Sequence, residues 1–230
     1  MNILVTGSSG FVGTHLVEKL REIGHKVVGM DIKNGQFSDI RAYMNCDKFM
    51  KKIDVVIHLT SLINVQESIK DPIIYFNDNE KGLLNMLYTA NEHKVKRFIF
   101  ASSAAADNPS SPYGVTKING EQWCSLFYDC YGLSTISLRF FNIYGKGTEK
   151  GVIPLWIDKI RNGESPVVNG DGEQIRDFVY VEDVVDAIIR AMESDFTGIY
   201  EVGTGIGTSI LELCDTFLTE MNSNVKIKFG

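Results

Sequence analysis

Apolar residues in the first half of the chain fall into short runs separated by stretches of helical spacing. Residues 3–5, 26–30, 55–59 and 97–101 have strand length, while 13–23 and 82–92 carry apolar residues at helical intervals. This rhythm predicts a parallel, doubly wound α/β sheet. Val55-Val56-Ile57 and Phe98-Ile99-Phe100 are continuously apolar rather than alternating, as strands covered by helices on both faces are. A further helix is predicted from about 113 to 131 and a strand at 135–140. Residues 163–173 are rich in Gly, Pro, Asn and Asp and read as turns, leading to a strand at 177–181 and a helix near 183–192.

Composition narrows the function classes. Against 29 Asp and Glu stand 23 Lys and Arg, with a pI near 5.3, so there is no electrostatic footprint for nucleic acid. Cys46, Cys124, Cys130 and Cys214 show no C-x-x-C spacing, and neither a metal site nor a disulfide framework is expected. No apolar run approaches the ~18 residues that span a bilayer. Met1 leads into an apolar strand without a basic region or cleavage site, and a cytoplasmic protein with no membrane partner is expected.

The segment Thr6-Gly7-Ser8-Ser9-Gly10-Phe11-Val12-Gly13 places glycines at i, i+3 and i+6 between the first strand and the first helix. Three glycines by themselves make only a turn. In this position they let a pyrophosphate approach the main chain and the helix pack closely on the sheet, while the helix N-terminus supplies N–H groups and positive dipole. Asp31 follows the second strand, eighteen residues past Gly13, where a carboxylate accepts from both adenosine-ribose hydroxyls of NAD and repels the 2′-phosphate of NADP. NAD is the expected cofactor. Residues 1–145, with the strand and helix near 177–193, are expected to form the NAD-binding Rossmann domain. Residues 146–176 and 194–230 are expected to form a small α/β substrate lobe.

Tyr113-Gly114-Val115-Thr116-Lys117 sets a phenol and an ammonium one helical turn apart, so the lysine can stabilise a phenolate. Such a pair alone is usually a surface pair. Ser102-Ser103 changes its weight, because it ends the strand at 97–101 and ligands of open α/β sheets bind at the carboxyl ends of strands. A hydroxyl there, of Ser102 or Ser103, would hydrogen-bond the oxygen that Tyr113 deprotonates.

Taken in order, residues 6–13, Asp31, Asp39-Ile40, His58-Leu59-Thr60-Ser61, Asn79, Ser103, Tyr113 with Lys117, residues 139–145 and residues 176–181 resemble the NAD-dependent epimerase/dehydratase family, particularly its UDP-glucose 4-epimerases. The resemblance covers nearly the whole chain. It implies that Gly7, Gly10, Phe11, Val12, Gly13, Asp31, Asp39, Ile40, Leu59, Thr60, Ser61, Asn79, Lys117 and Phe141 line the NAD site. It further implies that Ser103, Tyr113 and Lys117 are catalytic and that Asn142, Val152 and Arg176 join Ser103 and Tyr113 around a UDP-sugar. Arg176 also has an independent case, since a guanidinium suits bidentate phosphate recognition, against an internal salt bridge to Asp177 or Asp183. Relatives pair through helices equivalent to those around 83–87 and 123–127, which implies a homodimer.

Dehydratases and decarboxylases of the family carry an acidic residue two positions after the catalytic Ser or Thr, where this chain has Ala104 and Ala105. A 4-epimerase passing through a 4-keto sugar is therefore expected over an elimination. Two departures stand out. Nine residues separate Ser103 from Tyr113, fewer than in relatives, so an altered or open substrate mouth is expected. The stretch from Asp31 to Asp39 is also short, and the sequence stops at Gly230 where relatives continue, which reads as a truncated or compact member. A nucleotide-sugar reductase or dehydrogenase, and an NAD-binding module without turnover, are the competing expectations.

Overall fold

A computed structural model describes residues 1–35, 38–149 and 151–230. The chain opens with β1 (Asn2–Thr6), α1 (Phe11–Glu22), β2 (Lys26–Met30), α2 (Tyr43–Met50) and β3 (Val55–His58). Helices α3 (Val65–Lys70) and α4 (Pro72–Tyr75), a π-helical turn at Phe76–Lys81 and α5 (Gly82–Glu92) lead to β4 (Arg97–Ser103). Then come α6 (Pro112–Tyr131), β5 (Thr135–Phe140), β6 (Asn142–Tyr144), α7 (Val152–Arg161), β7 (Val167–Val168) and β8 (Ile175–Tyr180). The remainder is α8 (Val181–Glu193), β9 (Gly198–Val202), β10 (Gly207–Ser209), α9 (Ile210–Glu220) and β11 (Lys228–Phe229).

Two compact units result, one of residues 1–140 and 182–202 and the other of 141–181 and 203–230. The first holds a six-stranded sheet in the order β2-β1-β3-β4-β5-β9, parallel throughout. Leu4, Val56, Phe98 and Phe100 bury one face against Cys46 and Met50 of α2, Leu83, Met86 and Leu87 of α5, and Cys124 and Phe127 of α6. Their neighbours Ile3, Val5, Val55, Ile57 and Ile99 are equally buried and, by strand alternation, face the other way. Coverage of both faces accounts for the unbroken apolar runs in the sequence. Because β2 and β3 flank β1 on opposite sides, the winding reverses there, and a crevice opens at the carboxyl ends of β1 and β3.

The second unit holds a three-stranded sheet, β10-β8-β6, and the two-stranded β11-β7. Trp156 and Ile160 of α7 meet Ile210 and Cys214 of α9 and Val168 in its core, and the Trp156 indole N–H donates to the Val167 carbonyl at 3.0 Å.

This division differs from the expected one at three strands, the first being β6, which is expected within the NAD-binding domain and instead lies in the second unit beside β8. The strand predicted at 177–181 does not join the large sheet, because β8 has both edges taken by β6 and β10. The sixth place goes to β9, from a segment expected in the lobe, which runs parallel to β5 with Ile136 opposite Gly198 and Phe140 opposite Val202.

Candidate active site

Thr6, Met30, His58 and Ser103 close β1 to β4, so the loops that follow them converge at one end of the sheet. The Gly7 amide donates to the Met30 carbonyl at 2.9 Å, and Gly7 takes φ +69°. A β-carbon there would meet the Thr60 backbone nitrogen at 2.9 Å, and one on Gly13 would lie 2.1 Å from the Gly7 carbonyl oxygen. The two glycines thus let the loop fold against both α1 and the segment after β3. Gly10 caps α1 without a side-chain hydrogen bond, so the first turn, with Phe11, Val12 and Gly13, presents backbone N–H groups and positive dipole suited to a phosphate.

Asp31 ties this loop to the end of β2, its carboxylate accepting from Ser9 N–H at 3.0 Å and Lys33 N–H at 3.0 Å. A carboxylate retains further acceptor sites, and the ribose role expected of it is compatible with both bonds. After β3, Leu59 N–H donates to the Thr6 carbonyl at 3.2 Å and Thr60 N–H to Thr6 Oγ1 at 3.3 Å, while Ser61 Oγ donates to the Leu62 carbonyl at 3.0 Å. Gly7, Gly10, Phe11, Val12, Gly13, Asp31, Leu59, Thr60 and Ser61 therefore belong to one set of loops at the carboxyl ends of β1 to β3. The combination of a main-chain cradle that a β-carbon would fill, an uncapped helix end and an acid after β2 fits a dinucleotide.

Asp39, Ile40 and Asn79 are more committed to the protein itself. Both Asp39 oxygens accept from the Arg41 guanidinium, the shortest contact at 2.7 Å, which holds that carboxyl below its usual range. Ile40 is buried in the core, and its carbonyl accepts from Asn85 at 3.0 Å and Cys46 Sγ at 3.2 Å. Asn79 is buried, with its amide nitrogen donating to the Leu62 carbonyl and Thr116 Oγ1, each at 3.0 Å, and its oxygen accepting from Leu62 N–H at 2.8 Å. It pins the loop after β3 to α6.

Helix α6 begins sharply because Ser111 caps it, accepting from Gly114 N–H at 3.2 Å, with Pro112 in the first turn. Tyr113 follows, 8 % exposed. Burial raises the pKa of its phenol, a hydrogen bond with Ser103 lowers it, and the neighbouring Tyr75 raises it. One turn on, Lys117 is buried, its Nζ donating to the Ala101 carbonyl at 2.7 Å and lying 5.1 Å from the Phe100 ring centre and 5.8 Å from that of Tyr113. Burial pushes the ammonium down to about 7, opposed by the charge of Glu121. Ser103, Tyr113 and Lys117 are thereby brought together at the end of β4.

Two further residues at this place carry no role in the sequence reading. His58 is buried, with Nδ1 2.9 Å from Thr6 Oγ1, and burial, with Lys117 nearby, lowers it to about 3. Glu121, one more turn along α6, accepts from Ser102 Oγ at 2.5 Å and from the Arg139 guanidinium at 2.9 Å through both oxygens. The four-residue spacing of Tyr113, Lys117 and Glu121 is the signal that would have found the latter.

Phe141, Asn142, Val152 and Arg176 all lie in the second unit. Phe141 is half-buried and borders Gly203. The exposed Asn142 amide donates to the Asp177 carbonyl at 3.0 Å, and Val152 opens α7 with its side chain against the second core. Arg176 is exposed and donates to the Ile175 carbonyl at 2.8 Å. Asp177 accepts from Thr204 and Gly205 rather than pairing with Arg176.

Comparison with known proteins adds three findings. Residues 3–203 match the profile of the NAD dependent epimerase/dehydratase family. A putative UDP-glucose 4-epimerase of Methanocaldococcus jannaschii is 36% identical over 95% of this chain and 82% of its own. That alignment runs over 252 positions, more than the 230 residues present here, so the relative carries residues this chain lacks. Among solved structures, UDP-N-acetylglucosamine 4-epimerase from Methanobrevibacter ruminantium M1, in complex with UDP-N-acetylmuramic acid, superposes with a TM-score of 0.90 at 32% identity, covering 100% of this chain and 84% of that one. The UDP-glucose 4-epimerase of Thermus thermophilus, in complex with NAD, gives 0.90 at 28% identity, covering 100% and 86%.

Proposed function

This chain belongs to the NAD dependent epimerase/dehydratase family, and from that premise we infer that it is an NAD-dependent UDP-sugar 4-epimerase, working through a transient 4-keto sugar. The observation that carries this reading is the meeting of Ser103, Tyr113 and Lys117 at the end of β4, at the same end of the sheet where the glycine loop forms its cradle. Bound NAD supplies the acceptor and donor of the two electrons exchanged at sugar C4.

In this assignment the loops carrying residues 7–13, Asp31 and 59–61 hold the cofactor, with Asp39, Ile40, Asn79 and Phe141 completing its surroundings. Tyr113 takes the proton of the sugar 4-hydroxyl, keeps it while the 4-keto sugar turns over, and returns it to the same oxygen once C4 has been reduced from its other face. Lys117 stabilises the phenolate through its charge, and the Ser103 hydroxyl holds the reacting oxygen in line. Asn142, Val152 and Arg176 are assigned to the nucleotide sugar, the exposed guanidinium of Arg176 suiting a diphosphate. Ala104 and Ala105 place no acid beside Ser103 to expel a hydroxyl, which supports epimerisation over dehydration.

The assembly we propose is a homodimer through α5 and α6. Tyr88, Val115, Leu126, Tyr128 and Tyr131 on these helices are between 43% and 57% exposed, more apolar surface than a solvated helix face usually carries. Four thiols without disulfides suit a reducing compartment, and the cytoplasm is the proposed location. Among the described residues no helix is long and apolar enough to cross a membrane.

The test is NMR of the protein incubated with UDP-galactose, UDP-N-acetylgalactosamine or UDP-glucuronate and catalytic NAD. The C4 epimer is expected to appear without accumulated NADH. Stoichiometric NADH would replace this reading with a dehydrogenase, and NAD binding without turnover of any of the three would overturn it.

A further inference from the structure

Three consecutive residues of β4 each address one residue of a single stripe on α6. Ala101 accepts from Lys117 through its carbonyl at 2.7 Å, Ser102 donates to Glu121 at 2.5 Å, and Ser103 hydrogen-bonds Tyr113. Glu121 is 2 % exposed, and a carboxylate at that depth is stable only when paired and hydrogen-bonded. It is both. Oε1 accepts from Ser102 and from Arg139 Nε, and Oε2 from Arg139 Nη2 at 2.9 Å. The other edge of the same guanidinium reaches the exposed Asp107 at 2.7 Å, in the short segment between Ser103 and Tyr113.

We infer that Glu121 is a positioning residue that acts through Lys117, its buried carboxylate holding the neighbouring side chain in the ammonium form that Tyr113 needs. The inference rests on the reading of Tyr113 as the acid/base. The direct partner of the Lys117 ammonium is a neutral carbonyl, and the aromatic faces of Phe100 and Tyr113 add attraction to a cation. Of the charged and titratable groups around Lys117, His58 on β3 is kept neutral first by burial and then by the charge of Lys117. Tyr113 gains from its charge, and Glu121 is the group that raises it against burial. Arg139 would cancel that help if it served Glu121 alone, but Asp107 shares the guanidinium. Lys117, Arg139, Glu121 and Asp107 thus form two cations and two carboxylates, and removing Glu121 leaves a surplus positive charge next to a buried lysine. Glu121 sits two turns from Tyr113, about 12 Å along the helix axis, and is not among the groups acting on that phenol.

The charge of Lys117 can be read directly, without any sugar. In protein carrying isotope-labelled lysine, the ζ-nitrogen resonance assigned by Lys117→Met is followed from mildly acid to alkaline pH in the unsubstituted protein, Glu121→Gln and Arg139→Gln. Glu121→Gln is expected to move the Lys117 midpoint down by about one pH unit or more. Arg139→Gln, which leaves Glu121 unshared, is expected to move it up. The opposed directions keep the test decisive should one variant fail to fold, since the other alone carries a predicted sign. A midpoint that stays put in a folded variant, or moves the other way, overturns the inference. The alkaline limb of kcat/KM for a UDP-sugar should follow the same shifts. If the unsubstituted protein turns over no sugar, the epimerase assignment fails while the Lys117 titration still decides the role of Glu121.

Discussion

A β-carbon on Gly13 would stand 2.1 Å from the carbonyl oxygen of Gly7, which is itself held at φ +69°. No side chain can be placed at 13 without parting the first turn of α1 from its loop. Gly13→Ala is therefore expected to weaken NAD binding at least tenfold, about 1.4 kcal/mol, measured by calorimetric titration. Gly7→Ala adds the cost of a left-handed backbone, roughly 1–2 kcal/mol, and should lower the thermal midpoint as well. Unchanged affinity in both variants would mean that this loop does not hold the cofactor.

Removing one oxygen from Tyr113 tests the acid/base assignment with little disturbance to packing. Tyr113→Phe is expected to lower kcat by about 10²- to 10⁴-fold, the usual worth of a positioned proton-transfer group. NAD affinity should remain within about twofold, because the lost hydroxyl meets Ser103 and not the glycine loop. A variant that epimerises at the normal rate would remove Tyr113 from the mechanism.

His58 makes folding stability depend on pH in a definite direction. His58 Nδ1 lies 2.9 Å from Thr6 Oγ1, which also accepts from Thr60 N–H. Among the described residues Nε2 has no hydrogen-bond partner, and burial takes the imidazole from its ordinary 6.5 to about 3. Above 6.5 both folded and unfolded chains carry a neutral ring. As pH falls from 6.5 towards 3 only the unfolded chain takes up the proton, so stability is lost across that window. The slope attributable to this ring is about 1.4 kcal/mol per pH unit. Urea unfolding of His58→Gln across mildly acid pH should be flatter by that amount, and an unchanged slope would place the acid sensitivity elsewhere.

Arg97 is a buried guanidinium that fastens β4 to the end of α8. It donates to the Ala191 and Phe196 carbonyls and to the hydroxyls of Ser134 and Ser194. Arg97→Met fills similar volume but removes the guanidinium from the Phe196 and Ala191 carbonyls, of which Ala191 keeps the Ser194 hydroxyl, and a loss of roughly 2–4 kcal/mol in unfolding free energy is expected. Since β4 begins with Arg97 and ends at Ser103, the site lies at the far end, and NAD affinity of the folded variant should be unchanged. A loss of affinity without a loss of stability would contradict the anchoring role.

The sequence by itself determined whatever depends on neighbours along the chain. Strand length and continuous apolarity marked β3 and β4 as central, and the Gly7, Gly10 and Gly13 spacing marked the turn into α1. Tyr113 and Lys117, four apart, had to share a helix face. Only the tertiary structure decided which segments meet across long separations. Gly198–Val202 is a short, exposed edge strand, and its membership of the large sheet is fixed by pairing with β5, some sixty residues earlier. Asp39 and Asn79, assigned to the cofactor site by the family resemblance, make their hydrogen bonds to Arg41, Leu62 and Thr116. Glu121 continues the four-residue spacing of Tyr113 and Lys117, but its burial and pairing exist only once Arg139 and Ser102 close on it, and His58 is like any histidine until burial neutralises it. Local spacing is written in the chain, whereas desolvation and charge pairing belong to contacts that exist only once the sheet has closed around them.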